Sequence, residues 1–575
     1  MQLKHRYSCL WLFILIISYG IHFIVNYRQY SDLVETANGK VRGFLSKSRA
    51  GRIFTEFRGI PYARPPLGEL RFQSPQPIDN WTDVYTADKG GIECIQIEIA
   101  FTFRIVGQED CLYLNVFTPK ILQDNDFEPL LPVIVFIHGG GFISGSTKDY
   151  GGNYFMDEDV IVVTINYRLG ALGFLNTGDG SARGNMGLKD QQLALRWVQQ
   201  NIKQFGGDPN KVNLMGESAG AASVHLHLLS SKSRGLFQKA TMLSGNAYAF
   251  WAKAYRPVEQ SQKLGRTFGC NLNSTATIVE CLRTVDSIKL VGVHRPNRFP
   301  MVDPIETYGP SVEAIVDGDT FMSESPEKVM ADKRFAKVPV MAGINRGEGL
   351  VYAARIIQDG DRAEKLRHVK EWYSTLPRLL ALDNLKKEDA RKLTQFYFNN
   401  TGTESFDPVR QIENITNLYS DRMFNYYHQR LLTDIQSGWS KGKAPLYSYY
   451  YTYEGFFSVF KTMMKIPSHK VLPAEFHLVS NFLGEYLMEA VFGKKRYESL
   501  PSPCHGDEMA LLFDLGYFFT ITQSSKDFNF SVSLIKMIVE FTTGKGEGMK
   551  FHGVTWPPYY SDYPLSTMRV DVQNS

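Results

Sequence analysis

The sequence has 575 residues, of which 43% are hydrophobic and 21% are charged, and this ordinary globular composition excludes disordered and fibrous proteins. Its 63 basic and 59 acidic residues are spread along the chain and leave a net charge of +4, so we expect no nucleic-acid partner and no stable membrane partner. No linker or repeat divides the chain, which favours one large domain.

The first predicted element is a targeting segment at the N-terminus. A basic flank at positions 4–6 precedes an apolar run from Cys9 to Ile17, which is the order found in signal peptides. We expect residues 1–20 to be a signal peptide cleaved after Gly20, and residues 31–575 to form a single domain. An uncleaved signal anchor that tethers the protein to a membrane is the alternative, because the apolar segment approaches the length that spans a bilayer. The polar C-terminus carries neither a retention signal nor an apolar anchor, so secretion is the expected localisation.

The chain that follows alternates apolar strands with stretches of helical period, which is typical of a mostly parallel sheet flanked by helices. Continuous apolar runs predict strands that are buried on both faces. Apolar positions at helical spacing predict one helix between Leu188 and Phe205 and another from Ala219 to Leu229. Residues 360–435 are predicted to be mainly helical, as a cap or flanking region. Strands are predicted, in chain order, at Leu131–Ile137, Val160–Ile165, Val212–Met215, Thr241–Leu243, Val338–Ala342 and Leu446–Tyr453.

Three consecutive glycines, Gly139–Gly141, follow the first of these strands, and His138 precedes them. Glycines raise the entropic cost of folding, so such a run is poorly explained by packing. Exposed backbone N–H groups are what an oxyanion hole requires, and this is the HGGG pattern of esterases. An ordinary flexible loop is the alternative interpretation of the glycines alone.

The segment Gly216–Gly220 matches the G-x-S-x-G pattern of a nucleophile elbow, with Ser218 at its centre. The pattern by itself is weak, because glycine and serine are common residues. Its context strengthens it, since a predicted strand enters the motif and an alanine-rich predicted helix leaves it. Glycine is needed at the flanks because strand and helix approach closely there. We therefore interpret Ser218 as a catalytic nucleophile.

The cysteines and the glycosylation sequons agree with an oxidising compartment. If neighbours along the chain pair, Cys94 joins Cys111 and Cys270 joins Cys281, and each short loop is stabilised by about 3 kcal/mol. That pairing leaves Cys504 outside both disulfides. Five Asn-X-Ser/Thr sequons are candidate glycosylation sites in a secreted chain, at Asn80, Asn273, Asn399, Asn414 and Asn529.

From about Val34 to Tyr559, the chain resembles the type-B carboxylesterase family, which has the α/β-hydrolase fold. Within the family, the likeness is to secreted insect carboxylesterases of the esterase E4 and juvenile-hormone-esterase kind. The resemblance implies a large, mostly parallel central sheet flanked by helices, and serine carboxylesterase activity. Besides the elbow, it rests on the segments Phe57–Ala63, Arg71–Phe72, Glu109–Asn115, Asn166–Gly170, Phe205–Pro209 and Trp556–Tyr559.

The same resemblance implies the remaining catalytic residues. Glu348 matches the family's acid and His505 its histidine, and they follow Ser218 in the order Ser, acid, His that this fold uses. Asp507 and Glu508 are alternatives to Glu348, but carboxylates so close to the histidine in sequence more often cap a turn. The oxyanion is expected to bind N–H groups of Gly140, Gly141 and Ala219. This chemistry needs no cofactor and no metal.

Two further residues correspond to positions of known role in the family. Ser244 matches a serine that supports the acid, although a hydroxyl bonded to its own backbone is an equal alternative. Trp251 resembles a tryptophan near the acyl pocket, and packing in the core is the alternative.

The resemblance also leaves a second class of function open, because some family members are catalytically silent binding or adhesion proteins. The intact triad and glycines favour the enzyme. We expect a small-molecule ester substrate that is neutral and apolar, because the loop between Cys94 and Cys111 has Phe101 and Phe103 but lacks the tryptophan by which cholinesterases bind a quaternary ammonium group. Glu217 stands where juvenile-hormone esterases usually have Gln, which argues against that hormone as the substrate.

Overall fold

The structure, a computed structural model, describes most of the chain outside its N-terminal leader. The predicted signal peptide, the sequon Asn399, Phe101, Phe103 and part of the region 360–435 lie outside the described residues. The described residues are 29–98, 104–121, 129–293, 308–353, 380, 382, 385–398, 411–439, 444–456, 458, 503–516, 520–544, 549–559 and 567–571.

The strands follow the apolar runs of the sequence. They are β1 (Tyr30–Thr36), β2 (Gly39–Lys47), β3 (Ile53–Pro61), β4 (Tyr85–Thr86), β5 (Gln96–Ile97), β6 (Ile105–Val106), β7 (Tyr113–Thr118), β8 (Leu131–Ile137), β9 (Ile161–Ile165), β10 (Gly207–Glu217), β11 (Lys239–Leu243), β12 (Val340–Asn345), β13 (Leu446–Tyr451), β14 (Met549–Phe551), β15 (Val554–Trp556) and β16 (Met568–Val570).

The α-helices alternate with many of these strands. They are α1 (Gly170–Phe174), α2 (Met186–Asn201), α3 (Ala219–Leu229), α4 (Pro257–Thr267), α5 (Thr275–Thr284), α6 (Ser287–Gly292), α7 (Pro326–Ala331), α8 (Lys387–Phe398), α9 (Ile412–Ser420), α10 (Tyr426–Gly438), α11 (Met509–Leu512) and α12 (Phe528–Thr543). A 3-10 turn, Ile202–Phe205, extends α2, and a π-helical turn, Asp421–Asn425, joins α9 to α10. Within the described ranges, no helix has both the length and the apolar character that crossing a membrane requires.

The fold is built around one large twelve-stranded sheet. Its strand order is β1-β2-β3-β7-β9-β8-β10-β11-β12-β13-β16, with β4 paired to β2. From β9 through β8 to β16 every neighbouring pair is parallel, whereas β1, β2, β3, β7 and β9 pair antiparallel in that order. The predicted mostly parallel sheet is therefore present, with an antiparallel edge.

Two hydrophobic cores cover the two faces of this sheet. Along β8, Val133, Val135 and Ile137 belong to one core, whereas Ile134 and Phe136 belong to the other. Side chains of a strand point alternately to opposite faces, so a continuous apolar run fills both cores at once. Helices α2 and α3 contribute to the first core and α12 to the second.

The parallel strands bring three chain segments to one edge of the sheet. The glycine run follows β8, Ser218 follows β10, and Glu348 lies three residues beyond the end of β12. Carboxyl ends of parallel strands share an edge, which is where α/β proteins place their sites. The fold therefore positions these segments near one another before any side-chain contact is considered.

Both predicted disulfides are present. The Cα atoms of Cys94 and Cys111 are 4.9 Å apart, and those of Cys270 and Cys281 are 5.7 Å apart. Cys504 is buried, and its thiol lies 3.0 Å from Asp507 Oδ1, within reach of a hydrogen bond.

Candidate active site

Ser218 stands at a sharp turn between β10 and α3. Its φ of 56° and ψ of −117° are strained for a residue with a β-carbon. The flanking glycines are required by space, because a β-carbon at Gly216 would collide with the backbone of Gly220, and one at Gly220 would collide with the Ile137 carbonyl. The turn therefore has the close strand-to-helix approach that the elbow motif predicts.

His505 joins Ser218 to Glu348. Its Nε2 is 2.8 Å from Ser218 Oγ, and its Nδ1 is 2.6 Å from Glu348 Oε2. Because the carboxylate only accepts, Nδ1 carries the proton and Nε2 of the neutral ring accepts from the serine hydroxyl. The structure thus brings together the three residues that the sequence predicts as nucleophile, base and acid.

Two loops are tied together to hold the acid and the histidine. Gly347 and Cys504 form a parallel bridge, and the Gly347 N–H donates to the Pro503 carbonyl at 2.8 Å. The second oxygen of Glu348, Oε1, accepts from the Asn345 N–H at 2.7 Å. Glu348 is completely buried, so these bonds fix its orientation.

Glu217, the residue before the nucleophile, also reaches the histidine. Its Oε1 is 3.2 Å from His505 Nε2, and its side chain is buried. Burial raises the pKa of Glu217 to about 7, while His505 opposes the shift and Glu348 adds to it. Nothing in the sequence predicts this contact beyond the position of Glu217 next to Ser218.

Acidic neighbours also set the charge of His505. Burial by itself lowers its pKa, but the carboxylates of Glu217, Glu348 and Glu508 outweigh burial and raise the pKa above its ordinary value. Glu508 is itself buried, and burial together with Glu348 raises its pKa to about 8. Asp507 caps a turn, as expected, because its Oδ2 accepts from the Cys504 N–H at 2.8 Å.

The glycine turn packs directly on the nucleophile. A β-carbon at Gly139 would collide with the Glu217 carboxylate, and Gly140 and Gly141 have φ of 105° and 63°. In the described part of the chain, no protein acceptor is bonded to the N–H groups of Gly140, Gly141 or Ala219. These three predicted oxyanion donors are therefore not used by the described fold itself, which is what binding of an oxyanion requires.

His138 packs against the glycine turn and is bonded to it. Its ring stacks on Tyr167 with centroids 4.5 Å apart, and its Nδ1 is 2.9 Å from the Gly139 carbonyl. Complete burial lowers the pKa of His138 to about 4, so the ring is neutral at physiological pH. Nδ1 must carry the proton, since a carbonyl can only accept.

Aromatic residues cover the other side of His505. The Phe424 ring lies 4.6 Å from the imidazole, and the Trp251 ring lies 5.7 Å from Phe424. The Trp251 indole donates to the Met423 carbonyl at 2.9 Å, so Trp251 packs against the π-helical turn that presents Phe424. Phe424 was missed at the level of sequence, because nothing in the helical region 360–435 marks it.

Other predicted residues lie as follows. The described residues offer Ser244 Oγ no hydrogen-bond partner, so neither the predicted support of the acid nor a bond to its own backbone is present. Of the sequons, Asn80, Asn273 and Asn529 are exposed, whereas Asn414 is half-buried in α9.

Comparisons with known proteins show the family to which the chain belongs. A family model described as the Carboxylesterase family matches residues 30–575. Esterase E4 of Myzus persicae is 36% identical over 495 residues, which are 84% of this chain and 81% of that protein. Juvenile hormone esterase of Tribolium castaneum is 36% identical over 446 residues, which are 75% of this chain and 74% of that protein.

A solved structure extends the likeness to three dimensions. The crystal structure of juvenile hormone esterase from Manduca sexta, with OTFP covalently attached, has a TM-score of 0.74 and 26% sequence identity, and the match covers 95% of each chain. The α/β-hydrolase fold and the insect-esterase likeness predicted from the sequence are therefore confirmed.

Proposed function

The chain belongs to the carboxylesterase family and is a carboxylic ester hydrolase, and from this premise we propose that Ser218, His505 and Glu348 carry out the hydrolysis. The observation that carries the proposal is the hydrogen-bonded line from Ser218 Oγ through both ring nitrogens of His505 to Glu348 Oε2. A serine, an imidazole and a buried carboxylate in this arrangement are the parts that nucleophilic ester cleavage needs.

In the first half-reaction, Ser218 Oγ attacks the ester carbonyl and His505 Nε2 takes the hydroxyl proton. Glu348 holds the proton on Nδ1 and stabilises the imidazolium that forms. The carbonyl oxygen becomes an oxyanion, which the N–H groups of Gly140, Gly141 and Ala219 bind. His505 then protonates the leaving alcohol, and an acyl-enzyme remains on Ser218.

In the second half-reaction, His505 takes a proton from water, and the hydroxide equivalent attacks the acyl carbon. The same N–H groups bind the second oxyanion. Collapse of this intermediate releases the carboxylic acid as the proton returns to Ser218. Each step uses groups of the chain and water alone.

The substrates are small-molecule esters, and we propose that the preferred ones are neutral and apolar. The aromatic ring of Phe424 beside His505, with Trp251 packed behind it, suits an apolar substituent. Juvenile hormone, which the names of two relatives mention, is not proposed as the substrate, because Glu217 replaces the Gln expected of such esterases.

We further propose that the protein is secreted after removal of residues 1–20 and that residues 31–575 form one domain. The two disulfides and the exposed sequons Asn80, Asn273 and Asn529 support this localisation. Glycans at Asn414 would need rearrangement, because its side chain donates to Gln411 Oε1 at 2.6 Å.

Substitution of the nucleophile tests the mechanism. Ser218→Ala should abolish hydrolysis of a nitrophenyl ester and covalent labelling by an organophosphate, while secretion and thermal stability persist. The rate that remains in such a variant is far below the wild-type rate, although it can exceed uncatalysed hydrolysis in water by about 10³–10⁴-fold. A variant that is still labelled and that turns over ester at the wild-type rate would show that another residue is the nucleophile.

A matched pair of esters tests the preference for uncharged substrates. Acetylcholine and 3,3-dimethylbutyl acetate have the same shape but differ in charge. We expect kcat/KM for acetylcholine to be equal to or lower than that for the carbon analogue, because the loop between Cys94 and Cys111 lacks the tryptophan by which cholinesterases bind a quaternary ammonium group. A preference for acetylcholine of about tenfold, which is about 1.4 kcal/mol, would contradict the proposal.

A further inference from the structure

Gln96 lies in the loop closed by the Cys94–Cys111 disulfide, and its side chain is almost completely buried. Its amide makes four hydrogen bonds, which is the full capacity of two donors and two acceptor sites. Nε2 donates to the Cys94 and Gly145 carbonyls, each at 3.0 Å. Oε1 accepts from Ser144 Oγ at 2.8 Å and from the Gly145 N–H at 2.6 Å.

Three of these four bonds end on Ser144 and Gly145, which complete the turn that begins at the glycine run. The Gly140 carbonyl accepts from the N–H groups of Ile143 and Ser144, at 3.1 and 3.0 Å. A β-carbon on Gly140 would collide with the Ser144 carbonyl, and one on Gly145 would collide with the Gly139 carbonyl. The backbones of residues 144 and 145 therefore lie close against those of residues 139 and 140, so that movement of one pair is expected to move the other.

The disulfide loop that carries Gln96 is itself anchored. The Cys94 carbonyl accepts from Gln96, the Ile95 N–H donates to the Gln108 carbonyl at 3.0 Å, and β5 pairs with β6. The described part of this loop, residues 94–98 and 104–111, therefore forms a support that is held by a disulfide and by a strand pair. Gln96 is the described side chain that connects this support to the glycine turn through both the N–H and the carbonyl of one residue, Gly145.

We propose that Gln96 is a positioning residue for ester hydrolysis, through which the disulfide loop holds the oxyanion-binding N–H groups of Gly140 and Gly141 in place. The inference rests on the proposed function, in which these groups bind the oxyanion. A displacement of about 1 Å at such donors costs on the order of 100-fold in rate. In the described residues, Gln96 makes no hydrogen bond to Ser218, His505 or Glu348, so we expect it to act through the turn.

Gln96 is expected to stabilise the transition state of the reaction and not the bound ester. Loss of Gln96 should weaken binding of the oxyanion, which exists only after attack, and should leave binding of the uncharged ester nearly unchanged. Loss of a residue that only stabilises the fold would instead lower the melting temperature or reduce the affinity for all ligands together. The separation of kcat from KM is thus the informative measurement.

The experiment compares Gln96→Met with Gln108→Met in the full-length secreted enzyme. Methionine keeps the length of the side chain and removes all four hydrogen bonds. Gln108 lies in the same loop but is exposed, and its side chain makes one bond, to the Asp110 carbonyl at 2.7 Å. We expect kcat of Gln96→Met to fall by about 10- to 100-fold with KM within about threefold, and Gln108→Met to retain wild-type values.

Two ketones provide the second readout. Attack of Ser218 Oγ on trifluoromethyl hexyl ketone forms a carbon–oxygen bond, moves the carbonyl electron pair to oxygen as an oxyanion, and passes the serine proton to His505. Methyl hexyl ketone binds without this step. In Gln96→Met, affinity for the trifluoromethyl ketone should fall by the same factor as kcat, while affinity for methyl hexyl ketone and the acid limb of the pH profile remain unchanged.

The proposal would be overturned if folded Gln96→Met kept the wild-type kcat and the wild-type affinity for the trifluoromethyl ketone. It would also be overturned if the affinities for both ketones fell by the same factor. If Gln96→Met is not secreted, Ser144→Ala replaces it, because this variant removes one of the four hydrogen bonds. The ratio of its affinities for the two ketones is then compared with the wild-type ratio. Failure of the proposed function is recognised separately, because it requires that Ser218→Ala retain activity.

Discussion

At the scale of single residues, the Nε2 atom of His505 has two neighbours that compete for it. Ser218 Oγ is 2.8 Å away and Glu217 Oε1 is 3.2 Å away. The serine must donate to a neutral ring for attack, whereas the glutamate carboxylate favours a protonated one. The protonation state of Glu217 therefore affects how readily His505 becomes the free base.

A substitution of Glu217 should move the pH dependence of the enzyme. Activity requires neutral His505, so kcat/KM falls as pH decreases through the pKa of the imidazole. The Glu217 carboxylate helps to raise that pKa, and Glu217→Gln removes this charge. We expect the acid limb of the kcat/KM profile to move to lower pH by about one unit, the low end of what a charge at this distance produces.

The control for this prediction is Glu259→Gln, which changes an exposed glutamate of α4. It should leave the acid limb where it is in the wild type, as measured with a nitrophenyl ester between pH 5 and pH 9 under constant ionic strength. A Glu217→Gln profile that overlays the wild type, or that shifts to higher pH, would contradict the electrostatic role given to Glu217.

Residues could be predicted from the sequence where a local motif fixes them. Ser218 and the glycines belong to short patterns whose backbone requirements are local, and Glu348 and His505 follow from their match to the family. Glu217, Gln96 and Phe424 could not be predicted in the same way. Their contacts arise when loops distant in sequence meet, as when Gln96 reaches Gly145 or Phe424 reaches His505.

At the scale of elements, strands buried on both faces were predicted well and polar strand ends were not. The bounds of β8 and α3 match their predictions, since apolar runs define them. The strand predicted at Val212–Met215 is longer in the structure, Gly207–Glu217, because its polar start at 208–211 gives no hydrophobic signal. The predicted helix from Leu188 to Phe205 ends as α-helix at Asn201 and continues as a 3-10 turn.

A π-helical turn is an element that periodicity cannot reveal. Residues 421–425 interrupt the helical stretch between α9 and α10, and the turn carries Phe424 to His505. One extra residue in a turn rotates the helix face that follows, and such turns are frequent at functional sites. The sequence predicted helix here, but the face that reaches the site depends on this irregularity.

At the scale of the whole molecule, the C-terminal segments are built into the central sheet and into one of its two cores. Strand β16 pairs with β13, and α12 is tied to the sheet by the Asn213 amide, which donates to Thr542 Oγ1 at 2.9 Å. Trp556 is fully buried, with its ring 5.3 Å from that of Tyr447. The segments after the last triad residue therefore complete the core rather than form an appendage.

Deletion of residues 545–575 tests whether residues 31–575 fold as one unit. The truncated chain keeps the entire triad but loses β14, β15, β16 and Trp556. Emptying the Trp556 site alone should cost about 3–5 kcal/mol, a large share of the about 5–15 kcal/mol by which domains are stable. We expect the truncated protein to be neither secreted nor active, as measured by immunoblot and ester hydrolysis of the culture medium.

Deletion of residues 572–575, which follow β16, should retain secretion and activity. Wild-type secretion and kcat in the longer deletion would show that the catalytic part of the chain folds independently of its C-terminal strands.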